Sequence, residues 1–398
     1  MGKHRKRDSG LYVVPNGSRR SRRKLAVLSA AGLVAPLLGG AAVYAATSNA
    51  TSSCGAAACP AGGVAEQRGP VPAHRKPPPG APGAAKGSVR AATATAAPAA
   101  PRRAVAFIPY ADLLTWPPFD LVKTSRQQQI RRFGLGFVTA GTGCTAVWGG
   151  STVLSDRVIH RQLTDLRGHD GSIVLSLTGP AGTDLARQCE SVDALVAQYR
   201  AMLDDVGAVS GVDLFLPDDE LVGGVVADRR AAALARLQRE RKLDVSVTVP
   251  VGPDGLSAGA LGMLRSARAH GLDVAVLNLF GGRLPDLPGE EGGGRALIRA
   301  ATAAHGQLAQ IYPGDSASAR WARIGVTPVI GVYDAGTFGL DDARRVRDWA
   351  QAQRIGRLSM WSLARDDACG SGDDRAADEC SGVDQRPGRF MEILRGAD

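Results

Sequence analysis

The chain has 398 residues, 44% of them hydrophobic, a formal charge of +10 and a pI of about 9.6, enough for one large domain of about 250 residues with flanking segments. The basicity sits at one end: residues 1–103 hold 16 Lys/Arg against Asp8 and Glu66, a net +14, which leaves residues 104–398 at −4. A charge carried by a tail gives no basic nucleic-acid-binding fold, and no helix-turn-helix, zinc-finger or ribonucleoprotein pattern is present.

Residues 1–24 are basic, and an uncharged apolar run follows from Leu25 to Ala46. A basic flank before an apolar stretch is an export signal, with Val43-Tyr44-Ala45 as an acceptable cleavage site. Ser21-Arg22-Arg23-Lys24-Leu25 also looks like a twin-arginine signal. The run is long enough to span a bilayer, so residues 1–46 read as a signal peptide or an uncleaved anchor with the rest of the chain outside. Residues 47–103, rich in Ala, Pro and Gly, cannot bury a core and read as a disordered spacer.

From Ala104 onward short β-branched runs alternate with helical periodicity, the signature of a parallel α/β sheet. Eight runs stand out: Val105–Pro109, Leu135–Thr139, Ile173–Leu177, Val212–Leu216, Val245–Pro250, Val274–Leu279, Thr327–Val332 and Leu358–Trp361. Helical spacing is clearest at Asp193–Val206, Asp228–Arg241, Ala258–Ala269 and Asp341–Gln353. Eight strand-helix pairs predict a (β/α)8 TIM barrel over residues 104–398, with chemistry at the strand ends.

Six cysteines in an exported chain imply disulfides. Cys54 and Cys59 are isolated in the spacer and are expected to pair; Cys369 and Cys380 bracket an acidic loop after the last strand. Cys144, after strand two, and Cys189, after strand three, remain for each other on neighbouring loops. No cysteine or histidine cluster has metal-ligand spacing, and no cofactor is expected. Gly289–Gly294 lacks a P-loop lysine and reads as a loop.

The fourth run decides the chemistry. In Gly211-Val212-Asp213-Leu214-Phe215-Leu216-Pro217-Asp218-Asp219-Glu220, alternation puts Leu214 and Leu216 toward the helix layer and Asp213, Phe215 and Pro217 into the barrel. This stretch resembles the glycoside hydrolase family 18 chitinases, whose fourth strand carries D-x-x-D-x-D-x-E. Aligned through Gly211-Val212-Asp213, the last three acidic positions fall on Asp213, Phe215 and Pro217, so the proton donor's place holds a proline. A second register sets Asp213, Leu216, Asp218 and Glu220 on the four-acid pattern. It would press Asp213 against the apolar helix layer at a cost of several kcal/mol. The family's D-R-R, eleven residues after its glutamate, matches Asp228-Arg229-Arg230 and favours the first register.

The resemblance continues along the chain: Phe107-Ile108-Pro109-Tyr110-Ala111-Asp112 with Trp116-Pro117-Pro118-Phe119-Asp120, Gly136-Phe137-Val138, Gly143-Cys144, Trp148-Gly149-Gly150, Ser176 to Thr183, and Leu358-Ser359-Met360-Trp361-Ser362-Leu363 with Arg365-Asp366. In the family the last tryptophan forms the sugar-binding floor. The resemblance also implies the Cys144–Cys189 pair. Strand six departs: the family's Met-x-Asp-Tyr stretch is replaced by Asn278-Leu279-Phe280-Gly281-Gly282. Family 18 hydrolysis is substrate-assisted, outside the two-carboxylate scheme, and needs an acid at 217, a carboxylate at 215 and a tyrosine near 280.

The candidate site residues are Trp361, Trp148, Tyr333 and Asp334 for glycan contact and, more weakly, Asp213 and Glu220 for catalysis. Each has a plainer role open to it. Asp218, Asp219 and Glu220 suit a helix N-terminus, Asp213 a hydrogen-bonded core, and the tryptophans core filling. The expectation is an exported chitinase-like barrel that binds N-acetylglucosamine-containing glycans, a carbohydrate polymer as partner, with hydrolysis lost or impaired. The alternatives are an active hydrolase using Glu220 as displaced acid, and a non-catalytic envelope protein. Contact with a membrane is expected only through the N-terminal segment.

Overall fold

The computed structural model describes residues 105–115, 118–282, 284–285, 292–370 and 378–397. The export segment, the spacer, Cys54–Cys59, Trp116 and residues 289–291 of the glycine-rich stretch lie outside them. Gly293 and Gly294, expected in a loop, open the helix Gly293–Ile311 instead.

Eight strands form the barrel: β1 (Ala106–Phe107), β2 (Arg132–Ala140), β3 (Ser172–Thr178), β4 (Gly211–Phe215), β5 (Asp244–Pro250), β6 (Val274–Phe280), β7 (Ile324–Thr327) and β8 (Arg357–Leu358). The sheet runs β1-β8-β7-β6-β5-β4-β3-β2, every neighbouring pair parallel. The first strand breaks at Pro109, which has no N–H to donate, and resumes as Tyr110–Asp112 beside β2. Around the break the Ile108 and Tyr110 amides donate to the carbonyls of Leu358 and Met360, and the Gly134 amide donates to that of Pro109. The broken strand is therefore bonded on both sides, and the ring closes as expected of a TIM barrel.

Each expected strand overlaps an observed one, but the eighth, expected at Leu358–Trp361, is Arg357–Leu358, and the seventh needs correction. It begins at Ile324 rather than Thr327 and stops before Pro328. Residues expected to complete it form a hairpin instead, Gly331–Tyr333 against Gly336–Phe338. Helices Val192–Val206, Val225–Arg241, Ala258–Ala269 and Leu340–Gln353 cover the outside. Two start on serine caps that satisfy otherwise orphaned amides: Ser191 accepts from Ala194 N and Ser257 from Ala260 N.

Leu214 and Leu216 are fully buried in the layer shared with helix residues such as Leu195, Val196 and Leu234. Inside the barrel, large side chains enter where glycines make room. A Cβ at Gly134 would lie 2.7 Å from the Tyr110 ring, and one at Gly325 would lie 2.9 Å from Asn278 Oδ1 and 3.0 Å from the Arg357 Cβ.

Candidate functional site

Strand register sets the interior layer by layer. Asp213 on β4 is level with Ser176 on β3 and Ser246 on β5, and Thr248 is level with Asn278 on β6. Asp213 is wholly buried, as the inward register requires, and its two oxygens are crowded with donors. Tyr110 Oη donates to Oδ2 at 2.8 Å, Ser176 Oγ to Oδ2 at 3.3 Å, and Thr248 Oγ1 to both oxygens at 2.9 and 3.0 Å. Ser246 Oγ donates to Oδ1, and Arg357 Nη1 stands 3.4 Å from the same oxygen.

A second tier of bonds holds these donors. Asn278 Nδ2 donates to Thr248 Oγ1 at 2.9 Å and to Thr327 Oγ1 at 2.7 Å, while Arg357 Nε donates to Ser359 Oγ at 2.8 Å. Burial pushes the Tyr110 phenol far above its ordinary value, with Arg357 the chief opposing influence. Such a carboxylate has little free capacity for chemistry, because each lone pair already faces a donor.

Above this layer the mouth is aromatic. Phe215 contacts Phe137 edge-on at 5.7 Å between ring centroids and Phe280 at 5.0 Å. Trp361 completes the circuit, stacked on Phe137 at 5.5 Å and edge-on to Phe280 at 6.4 Å, with Tyr110 at 6.2 Å from it. Tilted and edge-to-face pairs at these separations are favourable beyond the area they bury. Phe215 is wholly buried, whereas Trp361 and Phe280 keep part of their surface open. The ends of β4 and β6 thus carry two phenylalanines in mutual contact.

The three acids after Pro217 take a different course. Asp218–Glu220 form a single 3-10 turn whose Glu220 side chain is buried and pairs with Arg187 Nε at 2.9 Å. Burial raises the Glu220 pKa and Arg187 opposes it. Beside it Arg230, from the D-R-R stretch, pairs with Asp184 at 2.5 Å and donates Nη2 to the Glu220 carbonyl at 3.0 Å. Arg229 Nη1 donates to the carbonyls of Ala186 and Cys189, the former at 2.8 Å. The D-R-R stretch thus holds the loop after β3 against the turn after β4. Glu220 shares no described hydrogen bond or ion pair with Asp213.

The other expected contacts divide. Trp361 and Asp213 are brought to one end of the barrel. Trp148 is not available there: it is fully buried and its indole Nε1 donates to the Leu154 carbonyl at 3.1 Å. Its expected role as a sugar contact is corrected to core filling, since a face with no exposure meets no ligand. Tyr333 Oη donates to the Leu284 carbonyl at 2.9 Å, and Asp334 is exposed at the hairpin tip. The disulfides Cys144–Cys189 and Cys369–Cys380 are formed, with Cα separations of 4.5 and 5.0 Å. Among the described residues no group of three His, Cys, Asp or Glu could hold a metal ion.

No family model matches the chain. It is 29% identical over 281 residues to a probable bifunctional chitinase/lysozyme of Escherichia coli, covering 65% of this chain and 31% of that one. It is 29% identical over 282 residues to endochitinase 11 of Metarhizium anisopliae, covering 65% and 52%. The chain thus spans about a third and about half of these relatives. Among solved structures it resembles the catalytic domain of a hyperthermophilic chitinase from Pyrococcus furiosus, with a TM-score of 0.65 and 28% identity over 75% of this chain and 96% of that one. The described residues fold as a chitinase-like TIM barrel.

Proposed function

We propose that this is an exported, chitinase-like protein that binds N-acetylglucosamine-containing glycans and does not hydrolyse them. The observation that carries it is the end of β4. The inward positions are Asp213, sealed by its donors, Phe215, packed in the aromatic circuit, and Pro217, which has no proton to give. Substrate-assisted cleavage needs an acid for the leaving oxygen and a partner for the reacting acetamido group, and the residues at these positions offer neither. Trp361, still partly open beside Phe280, keeps an aromatic face suited to the C–H face of a sugar ring. The basic, apolar N-terminal pattern supports export, with the barrel outside the membrane.

Titration calorimetry with chitohexaose tests the binding, and a reducing-sugar assay on the same samples tests the chemistry. Saturable binding that Trp361→Ala abolishes, with no sugar released above the blank, is expected. Absence of saturable binding at millimolar ligand overturns the binding claim. Steady release of sugar overturns the loss of hydrolysis.

A further inference from the structure

The hydroxyl protons around Asp213 are spent on its carboxylate. Tyr110 and Ser176 donate to Oδ2, Ser246 donates to Oδ1, and Thr248 donates to the same group. Toward Asn278 the Thr248 oxygen can therefore only accept, and this fixes which way the amide is turned. Its nitrogen faces Thr248 and Thr327 at 2.9 and 2.7 Å, and its carbonyl oxygen points away from them. Asn278 is wholly buried, and that oxygen meets no donor of the protein.

The oxygen faces β7. Asn278 is level there with Gly325, and Gly325 is level with Arg357 on β8. A Cβ on Gly325 would lie 2.9 Å from Asn278 Oδ1 and 3.0 Å from the Arg357 Cβ, so both residues border the same glycine. Arg357 has the opposite deficit. Its Nε donates to Ser359 and its Nη1 lies on Ser246 and Asp213, while Nη2 is buried without an acceptor. Both side chains also adjoin Tyr110: Asn278 Nδ2 is 3.2 Å from its hydroxyl, and the guanidinium carbon is 5.0 Å from its ring centroid.

An unmet acceptor and an unmet donor on either side of a glycine define their ligand. The guanidinium repels a cation and the amide oxygen repels an anion. A water molecule both donates and accepts, and buried waters characteristically serve polar groups of this kind. We propose that the barrel interior binds one structural water over Gly325, which donates to Asn278 Oδ1 and accepts from Arg357 Nη2. It links β6 to β8 across the strand that has no side chain at this level, and so steadies the guanidinium facing Asp213.

High-resolution crystal structures of the protein and of its Asn278→Leu variant test this. The expected result is one water peak within about 3.2 Å of both Asn278 Oδ1 and Arg357 Nη2. In Asn278→Leu, where a methyl stands in place of Oδ1, the peak is lost. Absence of the peak from the parent overturns the proposal, as does direct contact between the two groups. A peak that persists unchanged in Asn278→Leu overturns the assignment to Asn278. Should that variant fail to fold, the parent's peak and its two distances decide alone.

Discussion

Arg357 reaches across the barrel interior to Asp213, its Nη1 3.4 Å from Oδ1, with the side chains only 3% and 0% exposed. The guanidinium carbon also stands 5.0 Å from the Tyr110 ring centroid, within cation–π range. Removing one member of a buried pair leaves an uncompensated charge, which typically costs about 3–5 kcal/mol. Asp213→Asn should therefore lower the urea midpoint at unchanged m-value by an amount equivalent to at least about 3 kcal/mol. Adding Arg357→Met should recover a large part of it. A loss under about 1 kcal/mol from the single change would remove Asp213 from the structural role assigned to it.

Glu220 distinguishes the hydrolase alternative. Its burial disfavours the charged form and outweighs the pull of Arg187, whose side chain is 39% exposed and screened by solvent. Glu220→Gln should change stability by less than about 1 kcal/mol and glycan affinity by less than about twofold. A displaced catalytic acid behaves otherwise: turnover of an N-acetylglucosaminide would fall by about two orders of magnitude or more.

The Cys144–Cys189 link closes a loop of sequence separation 45. Chain entropy alone assigns such a loop about 4 kcal/mol. The Cys144→Ala, Cys189→Ala double variant should melt at least about 5 °C below the parent, given the usual stability-to-temperature conversion for a large domain. An unchanged melting temperature would show that Arg229, bonded to the Cys189 carbonyl, suffices to hold the loop.

Asp366 accepts the backbone amides of Phe390 and Met391 at 3.0 and 2.8 Å, yet burial raises its carboxyl to a pKa of about 7. In the unfolded chain it would ionise near 3.8. Between these values the folded state holds a proton that the unfolded state has released. This group's contribution is therefore complete below the lower value and declines as pH rises, until it is spent near 7. Subtracting the pH–stability curve of Asp366→Asn from that of the parent should give a difference falling between pH 4 and 7 and flat above. A difference that rises over that interval would reverse the sign.

The inward register of β4 was legible because alternation and desolvation agree: Asp213 belongs inside, and Leu214 and Leu216 belong outside. The Cys144–Cys189 disulfide was legible from the strands that the two cysteines follow, and Cys369–Cys380 from the loop that they bracket. What surrounds Asp213 was not. Its donors come from other strands, between 33 and 144 residues away in sequence, and no local spacing encodes them. One usable signal was present: isolated small polar residues in apolar runs, Ser176 in β3, Ser246 and Thr248 in β5 and Asn278 in β6. Trp148 was misjudged because a tryptophan near a strand end looks the same in sequence whether it faces a ligand or the core. The seventh strand was set too late: it begins at Ile324, and the missing side chain of Gly325 is what lets Asn278 and Arg357 approach.

The crowding of donors on Asp213 also bears on how such sequences change over evolutionary time. An acid bonded to Tyr110, Ser176, Ser246 and Thr248 and paired with Arg357 is retained by selection for folding alone, whatever becomes of turnover. Phe215 is held instead by the rings of Phe137 and Phe280. Such bonding would hold an aspartate in the fourth strand for the sake of folding alone, so that its presence by itself is no evidence of turnover.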